Sequence, residues 1–289
     1  MTERVLICTD LDRTLIPNGH PSESTLARPL LRRLVERDEV YLAYVSGRDK
    51  VLLNEAIREW DLPLPDYAIG DVGTTLYTIN GGHWQLMSSW QEEISRDWGD
   101  YQRTDIADWL QDIDALTLQE AHKQNDYKLS YYAPVDISVE TLLRDIRQRL
   151  DARHLRYNLI WSIDDLKQIG LLDILPQRAN KLEAIRFLMQ SQAFPVDTTV
   201  FSGDSGNDLE VLTSEIQATL VNNASEAIKQ QATEMAEQNG YVNRLYIARG
   251  DFLDMNGNYA AGILEGLAHY IPHTRKWMTE TETSRDGGS

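Results

Sequence analysis

Short runs of valine, leucine and isoleucine, each closing on Gly, Asp, Ser or Asn, recur at Val5 to Thr9, Val40 to Val45, Thr198 to Phe201 and Thr219 to Val221. Their near-continuous apolar character predicts strands covered on both faces, as in a parallel sheet. Between and after them, apolar positions recur at helical spacing over Ser24 to Arg37, Lys50 to Trp60, Asn180 to Gln192, Asp208 to Ser214 and Ser225 to Gln238. Alternating strands and helices predict an α/β fold built on a doubly wound parallel sheet, whose right-handed crossovers bring the strand ends to one edge.

The rhythm breaks between Gly81 and Pro176. Strand-like pieces at Tyr127 to Tyr132, Arg156 to Ser162 and Leu171 to Leu175 accompany helical stretches at Thr104 to Asp112 and Val139 to Leu150. Helices on one face of a small sheet would leave its other face free to close over a ligand, so residues 81–176 are expected to form an inserted α+β cap domain. Residues 1–80 and 177–272 then make the core, and a polar tail over 273–289 is expected to be disordered. The tryptophans at positions 84, 90, 98, 109 and 161 are expected mainly in the cap's interior.

With 289 residues the chain exceeds one ordinary hydrophobic core, which agrees with two units. Forty-five acidic against 28 basic side chains give a net charge of -17, a field that opposes binding to nucleic acid or to anionic membranes. A small phosphorylated ligand would meet the same field, so its site must supply local positive charge from a metal and a few basic residues. The single cysteine, Cys8, lies in an apolar run and fits a packing role in a reducing compartment. No apolar segment suits a signal peptide or a membrane span, and a cytoplasmic protein, monomeric or weakly oligomeric, is expected.

Where the first strand ends, Asp10-Leu11-Asp12-Arg13-Thr14 sends two carboxylates to the same side of the chain. Such a pair stays ionised when a cation such as Mg2+ lies between it and an incoming phosphate; glycosyltransferases also hold a metal with an Asp-x-Asp. A more specific signal is Ser202-Gly203-Asp204-Ser205-Gly206-Asn207-Asp208, which ends another strand and opens a helix. Its glycines permit tight turning, Asp204 can ligate a metal, and Asn207 can orient groups around a phosphate. Ser46-Gly47-Arg48 offers a hydroxyl, a glycine amide and a helix start, which suit an anion. Lys181 opens a helix, where the dipole already favours negative charge, so a cation there implies a phosphate to hold.

Taken in order, these four segments resemble the motifs of the haloacid dehalogenase superfamily, at Asp10 to Thr14, Ser46, Lys181 and Asp204 to Asp208. The resemblance implies a Rossmann-like core and a phosphatase in which Asp10 attacks phosphorus. Asp12 would protonate the leaving oxygen and then activate water. Mg2+ would sit on Asp10, Asp204 and the Asp12 carbonyl with Asp208 in support, and Ser46, Asn207 and Lys181 would hold the phosphoryl group.

Closer similarity is to the sucrose-phosphate phosphatase branch, through Tyr41 to Tyr44, Pro65 to Tyr67, Val72-Gly73-Thr74, Tyr127 to Tyr131, Asp173 to Arg178 and Ala261 to Glu265. It implies a sugar phosphate as the small-molecule partner, with Gly47, Arg48, Thr74, Lys128, Gln177 and Asn180 as candidate substrate contacts. Two positions depart from the branch. Arg13 stands where many relatives have Gly or Asn, and Thr75 follows Val72-Gly73-Thr74 where sucrose phosphatases often have Glu. Mannosylfructose-phosphate phosphatases look similar through the same stretch, so another disaccharide phosphate, a phosphomutase or a noncatalytic sugar-phosphate sensor are alternatives. A glycosyltransferase would leave Lys181 and the Gly203 to Asp208 loop without a role.

Overall fold

A computed structural model describes residues 4–164 and 167–279. The chain opens with β1 (Val5–Thr9), α1 (Ala27–Val35), β2 (Val40–Val45), α2 (Lys50–Glu59), β3 (Tyr67–Gly70), β4 (Thr75–Asn80) and β5 (His83–Leu86). Then come α3 (Ser88–Trp98), α4 (Arg103–Leu110), β6 (Thr117–Leu118), β7 (Leu129–Pro134), α5 (Val139–Asp151), β8 (Tyr157–Asp164) and β9 (Ile169–Pro176). The rest comprises α6 (Lys181–Gln192), β10 (Thr199–Gly203), α7 (Leu209–Leu212), β11 (Gln217–Leu220), α8 (Glu226–Asn239), β12 (Leu245–Ile247), α9 (Ala260–Tyr270) and α10 (Thr274–Thr279).

Among the described residues the large sheet runs β12-β11-β10-β1-β2-β3-β4-β5. It is parallel from β12 to β3 and closes with two antiparallel pairings. Alternation along β1 serves both faces: Val5 and Ile7 pack with the α1 and α9 side chains, Leu6 and Cys8 with those of α6 and α7. Burial pushes the Cys8 thiol far up, so it is a packing group rather than a nucleophile. After β1 the chain builds β2 and β3 on one side and later β10, β11 and β12 on the other. The carboxyl end of β1 is therefore a topological switch point, where doubly wound sheets bind ligands.

The second sheet, β6-β7-β9-β8, is antiparallel. Leu129, Tyr131, Leu172 and Ile174 on one face pack with Ile106 and Leu110 of α4 and with Leu142, Ile146 and Leu150 of α5.

Three sequence expectations are corrected. The boundary at Gly81 falls inside a hairpin: Gly81 and Gly82, both left-handed, turn β4 into β5, and β5 belongs to the large sheet. Trp84 and Trp90 accordingly pack against the large sheet's clusters, whereas Trp98, Trp109 and Trp161 pack in the smaller one. The tail expected to be disordered starts with α10, because Met278 and Trp277 find apolar partners in the core and Thr274 donates to the Ile271 carbonyl at 2.7 Å. Residues 280–289 lie outside the described residues.

Between β3 and β4 the turn at Asp71, Val72 and Gly73 is left-handed at all three positions. Gly73 has φ +98, and a Cβ there would lie 2.6 Å from the Asn180 backbone at the start of α6. Only glycine permits this turn and helix to touch. Gly73→Ala is expected to destabilise the fold by roughly 2–3 kcal/mol, the range for forced overpacking with strain. Urea unfolding checks this, and a change under about 0.5 kcal/mol would contradict the close approach.

Candidate active site

Three loops meet at the carboxyl edge of the large sheet. The Asp10 amide donates to Ser202 O of β10 at 2.9 Å, so the parallel pairing of β1 and β10 carries into the first acidic loop. Leu11 O accepts from the Thr14, Leu15 and Ile16 amides, folding residues 11–16 back on themselves. Thr14 Oγ1 then donates to Asp204 Oδ1 at 3.2 Å, joining the two acidic segments.

Asp10, Asp204 and Asp208 are buried, and each has a carboxylate oxygen within 4.8 Å of one on each of the others. Asp208 organises its own loop: Oδ2 accepts from the Asp204 and Ser205 amides at 3.1 and 3.2 Å. Its Oδ1 takes the Lys181 ammonium at 2.7 Å, and the same ammonium reaches Asp10 Oδ1 at 2.9 Å and Asn207 Oδ1 at 3.4 Å. Gly203 keeps this arrangement tight, since a Cβ there would meet the Asp208 carboxylate at 2.6 Å.

Burial pushes Asp10 up to about 7, with Lys181 opposing and Asp208 reinforcing the rise. Burial, then the Asp208 charge, raises Asp204 to about 6. Burial works against the Lys181 ammonium, but Asp10 and Asp208 together outweigh it and hold its pKa above the ordinary lysine value. Three buried carboxylates thus cluster around one buried cation that contacts only Asp10 and Asp208 among them, which leaves room for further positive charge.

A divalent cation fits these residues. Asp204 Oδ2 is buried and accepts no hydrogen bond, with Arg13 Nε 3.5 Å away as its ion-pair partner. Hard carboxylate oxygens with no sulfur or imidazole among them suit Mg2+ or Ca2+ rather than zinc. Asp10 and Asp204 would hold it; both oxygens of Asp208 are already engaged, which makes that residue a support.

Asp12 is not part of this cluster's carboxylate network. Arg48 holds it from both nitrogens of its fork, Nε to Oδ2 at 2.8 Å and NH2 to Oδ1 at 2.7 Å, while Asn18 Nδ2 donates at 2.8 Å. Burial alone would raise the Asp12 carboxyl, but Arg48 and Asn18 outweigh it and hold it below the usual carboxylate range. Arg48, expected as a substrate contact, is thus Asp12's counterion. Ser46 is buried at the end of β2, and its Oγ accepts from the Arg48 amide at 3.2 Å. Gly47 between them is exposed, with open space where a side chain would be.

The other expected substrate contacts lie outside the acidic cluster. Thr74 is fully buried; its hydroxyl donates to Asp71 O at 2.9 Å and accepts from Asn125 Nδ2 at 2.9 Å. Lys128 Nζ lies 3.6 Å from Asp71 Oδ1. Asn180 caps α6 through the Glu183 amide at 2.8 Å, and Gln177 Oε1 accepts from Arg156 Nε at 3.1 Å. Sequence reasoning gave no role to Asn18, Thr14 or Asn223. Asn18 carried a usable signal, because Pro17-Asn18-Gly19 is turn chemistry directly after the first acidic motif.

A buried carboxylate paired with a buried lysine beside two further acidic groups, on the switch-point edge of a doubly wound sheet, is the arrangement that the resemblance to haloacid dehalogenase superfamily phosphatases implies. The sucrose-6F-phosphate phosphohydrolase family model matches residues 3–271, and the chain belongs to that family. A HAD-like hydrolase of Nitrosococcus oceani is 54% identical over 99% of this chain and 76% of its own length. Sucrose-phosphatase 1 of Nicotiana tabacum is 27% identical over 92% of this chain, which spans only 59% of that protein. Mannosylfructose-phosphate phosphatase of Agrobacterium fabrum is 29% identical over 92% of this chain and 96% of its own. Among solved structures, the sucrose-phosphatase of Synechocystis in complex with sucrose and phosphate has a TM-score of 0.68 and 26% identity, covering 93% of this chain and 98% of that one. Among the described residues no helix is long and apolar enough to cross a membrane.

Proposed function

We propose that the chain is a Mg2+-dependent phosphatase of a disaccharide phosphate, sucrose 6-phosphate foremost, working through an aspartyl-phosphate on Asp10. The observation that carries the reading is Lys181 held between Asp10 and Asp208 beside the open valence of Asp204. Lys181 fixes the Asp10 carboxylate and offers positive charge to the transferring phosphoryl group, assisted by Asn207 and Ser46. An Asp10 oxygen forms the bond to phosphorus as the sugar oxygen leaves. Asp12 gives that oxygen a proton, then takes one from the water that attacks phosphorus and frees Asp10.

Paired as it is with Arg48, Asp12 is only an acceptor. It therefore has to exchange this partner before it can act as an acid, and the incoming phosphate is the natural new partner for the guanidinium fork. Bound Mg2+ would screen the repulsion between the Asp10 carboxylate and the phosphoryl oxygens.

For the sugar, Lys128 has an ion-pair partner to exchange, whereas buried Thr74 serves to hold the 71–74 turn. A core of residues 1–80 and 177–272, its edge extended by β5, with the smaller sheet as cap, is part of the same proposal, as is a cytoplasmic, monomeric or weakly associating protein.

One observation favours a second substrate. The mannosylfructose-phosphate phosphatase matches nearly end to end. At Thr75, where sucrose phosphatases often have Glu, the side chain donates to Asp71 Oδ2 at 3.3 Å.

Inorganic phosphate release from sucrose 6-phosphate, mannosylfructose phosphate, glucosylglycerol phosphate, trehalose 6-phosphate and hexose phosphates tests the reading. One substrate is expected to dominate, with release lost on chelation by EDTA and restored by Mg2+. Release unaffected by EDTA would remove the metal from the reading, and no release from any compound would remove the disaccharide phosphatase.

A further inference from the structure

Arg13 holds a strained backbone beside the acidic cluster. Its φ is +60, a region that Gly and Asn occupy readily and a long side chain does not. A residue kept in such a conformation against easier alternatives points to a use for its side chain.

The surrounding structure enforces the strain from both ends of the residue. The Arg13 amide donates to Ile16 O at 3.1 Å and to Asn18 Oδ1 at 2.8 Å. Its carbonyl accepts from Asn223 Nδ2 at 2.6 Å, and Asn223 Oδ1 in turn accepts from the Tyr259 amide at 2.8 Å. Tyr259 is itself left-handed, at φ +52, and fully buried. Two strained non-glycine residues from distant parts of the chain are thus locked together through one asparagine.

The side chain so placed brings Nε to 3.5 Å from Asp204 Oδ2. That distance is too long for a good hydrogen bond but short enough for charge compensation. The oxygen keeps its open valence while its charge is partly balanced.

We propose that Arg13 is a resident counter-charge for Asp204, one that steadies the acidic cluster when no metal is bound and weakens the site's hold on a divalent cation. This rests on the reading of Asp10 and Asp204 as a cation site. Arg13 is a positioning residue: it acts through Asp204 on the ligand set. A guanidinium at this distance opposes a dication strongly in a dry site. With more than half of the Arg13 side chain in solvent, screening reduces the effect to roughly tenfold in affinity.

The test is calorimetric titration of the whole chain with Mg2+ alone, without substrate, at low and at high salt. Arg13→Asn suits the left-handed backbone and should fold, which circular dichroism verifies. It is expected to bind Mg2+ about tenfold more tightly than the wild type, with the gap narrowing at high salt. Arg13→Lys keeps the charge and is expected within about twofold of the wild type, an outcome that relief of backbone strain alone would not produce. In EDTA, Arg13→Asn is expected to melt below Arg13→Lys. Binding by the wild type with equal or weaker affinity in Arg13→Asn would overturn this inference alone. No binding by any of the three proteins would overturn the cation-site reading and this inference with it.

Discussion

Asp10→Asn is expected to lower Mg2+-dependent phosphate release by on the order of 10^4-fold or more, because an amide oxygen cannot form the acyl-phosphate that splits the reaction into two steps. The fold should survive and stand slightly firmer without metal. Asp10 is one of three clustered buried carboxylates and shares Lys181 with Asp208, and burial already drives its carboxyl to about 7. Removing that charge relieves repulsion, while the ammonium keeps Asp208 at 2.7 Å. Single-turnover phosphate release and urea unfolding measure the two halves separately. Release within tenfold of the wild type would end the covalent reading, and a large loss of stability would show that Asp10 is structurally needed.

The acidic edge was legible because each part is local. An apolar run closing on Asp or Gly predicts a strand end, and β1, β2 and β10 all end where their motifs begin. Alternating strands and helices then forced those ends onto one edge, so Asp10, Ser46 and Asp204 could be placed together before any contact was known. Lys181 was recognisable for the opposite reason, as a charge on the wrong end of a helix.

Partner choice was not legible, because it depends on which side chains the fold brings within reach. Arg48 reads as a substrate contact from its place after Ser46 and Gly47, but nothing local announces that Asp12, thirty-six positions earlier, pairs with both arms of its fork. Asn180 reads as a sugar contact from its loop, and the cap that its Oδ1 makes for α6 was not part of that reading. Arg13 drew notice only as a departure; its use depends on Asn223 and Tyr259, which share no motif with it. The β4–β5 hairpin was readable from Asn80-Gly81-Gly82, a turn signal between strand-like runs, and the tail helix was not, since its polar composition conceals Met278 facing the core.

Lys181→Met is the other large expected effect, and it separates the charge of this residue from its bulk. Methionine replaces most of the apolar stem in a site where the side chain is only 6% exposed, so little packing is lost. What disappears is the ammonium between Asp10 and Asp208, and removal of one partner from a buried ion pair typically costs about 3–5 kcal/mol. In EDTA near neutral pH the loss should fall at the lower end, about 3 kcal/mol, because Asp10 can take up a proton instead of remaining charged. The pH dependence has a defined sign. Lys181 lowers the Asp10 and Asp204 carboxyls, which burial has already raised to about 7 and about 6, so its loss raises both further. The added cost is absent in the ordinary carboxylate range, builds as pH rises past those values and levels off above the variant's own raised values. The deficit of Lys181→Met against wild type should therefore be smaller at pH 5 than at pH 8, and Mg2+ should restore part of it at pH 8 by standing in for the lost cation. Urea midpoints at both pH values, with and without Mg2+, measure all of this. A variant equal to wild type in EDTA at pH 8 would mean that the three carboxylates are balanced by something other than Lys181, and the reading of this lysine as the fixed positive charge of the phosphoryl site would fall with it.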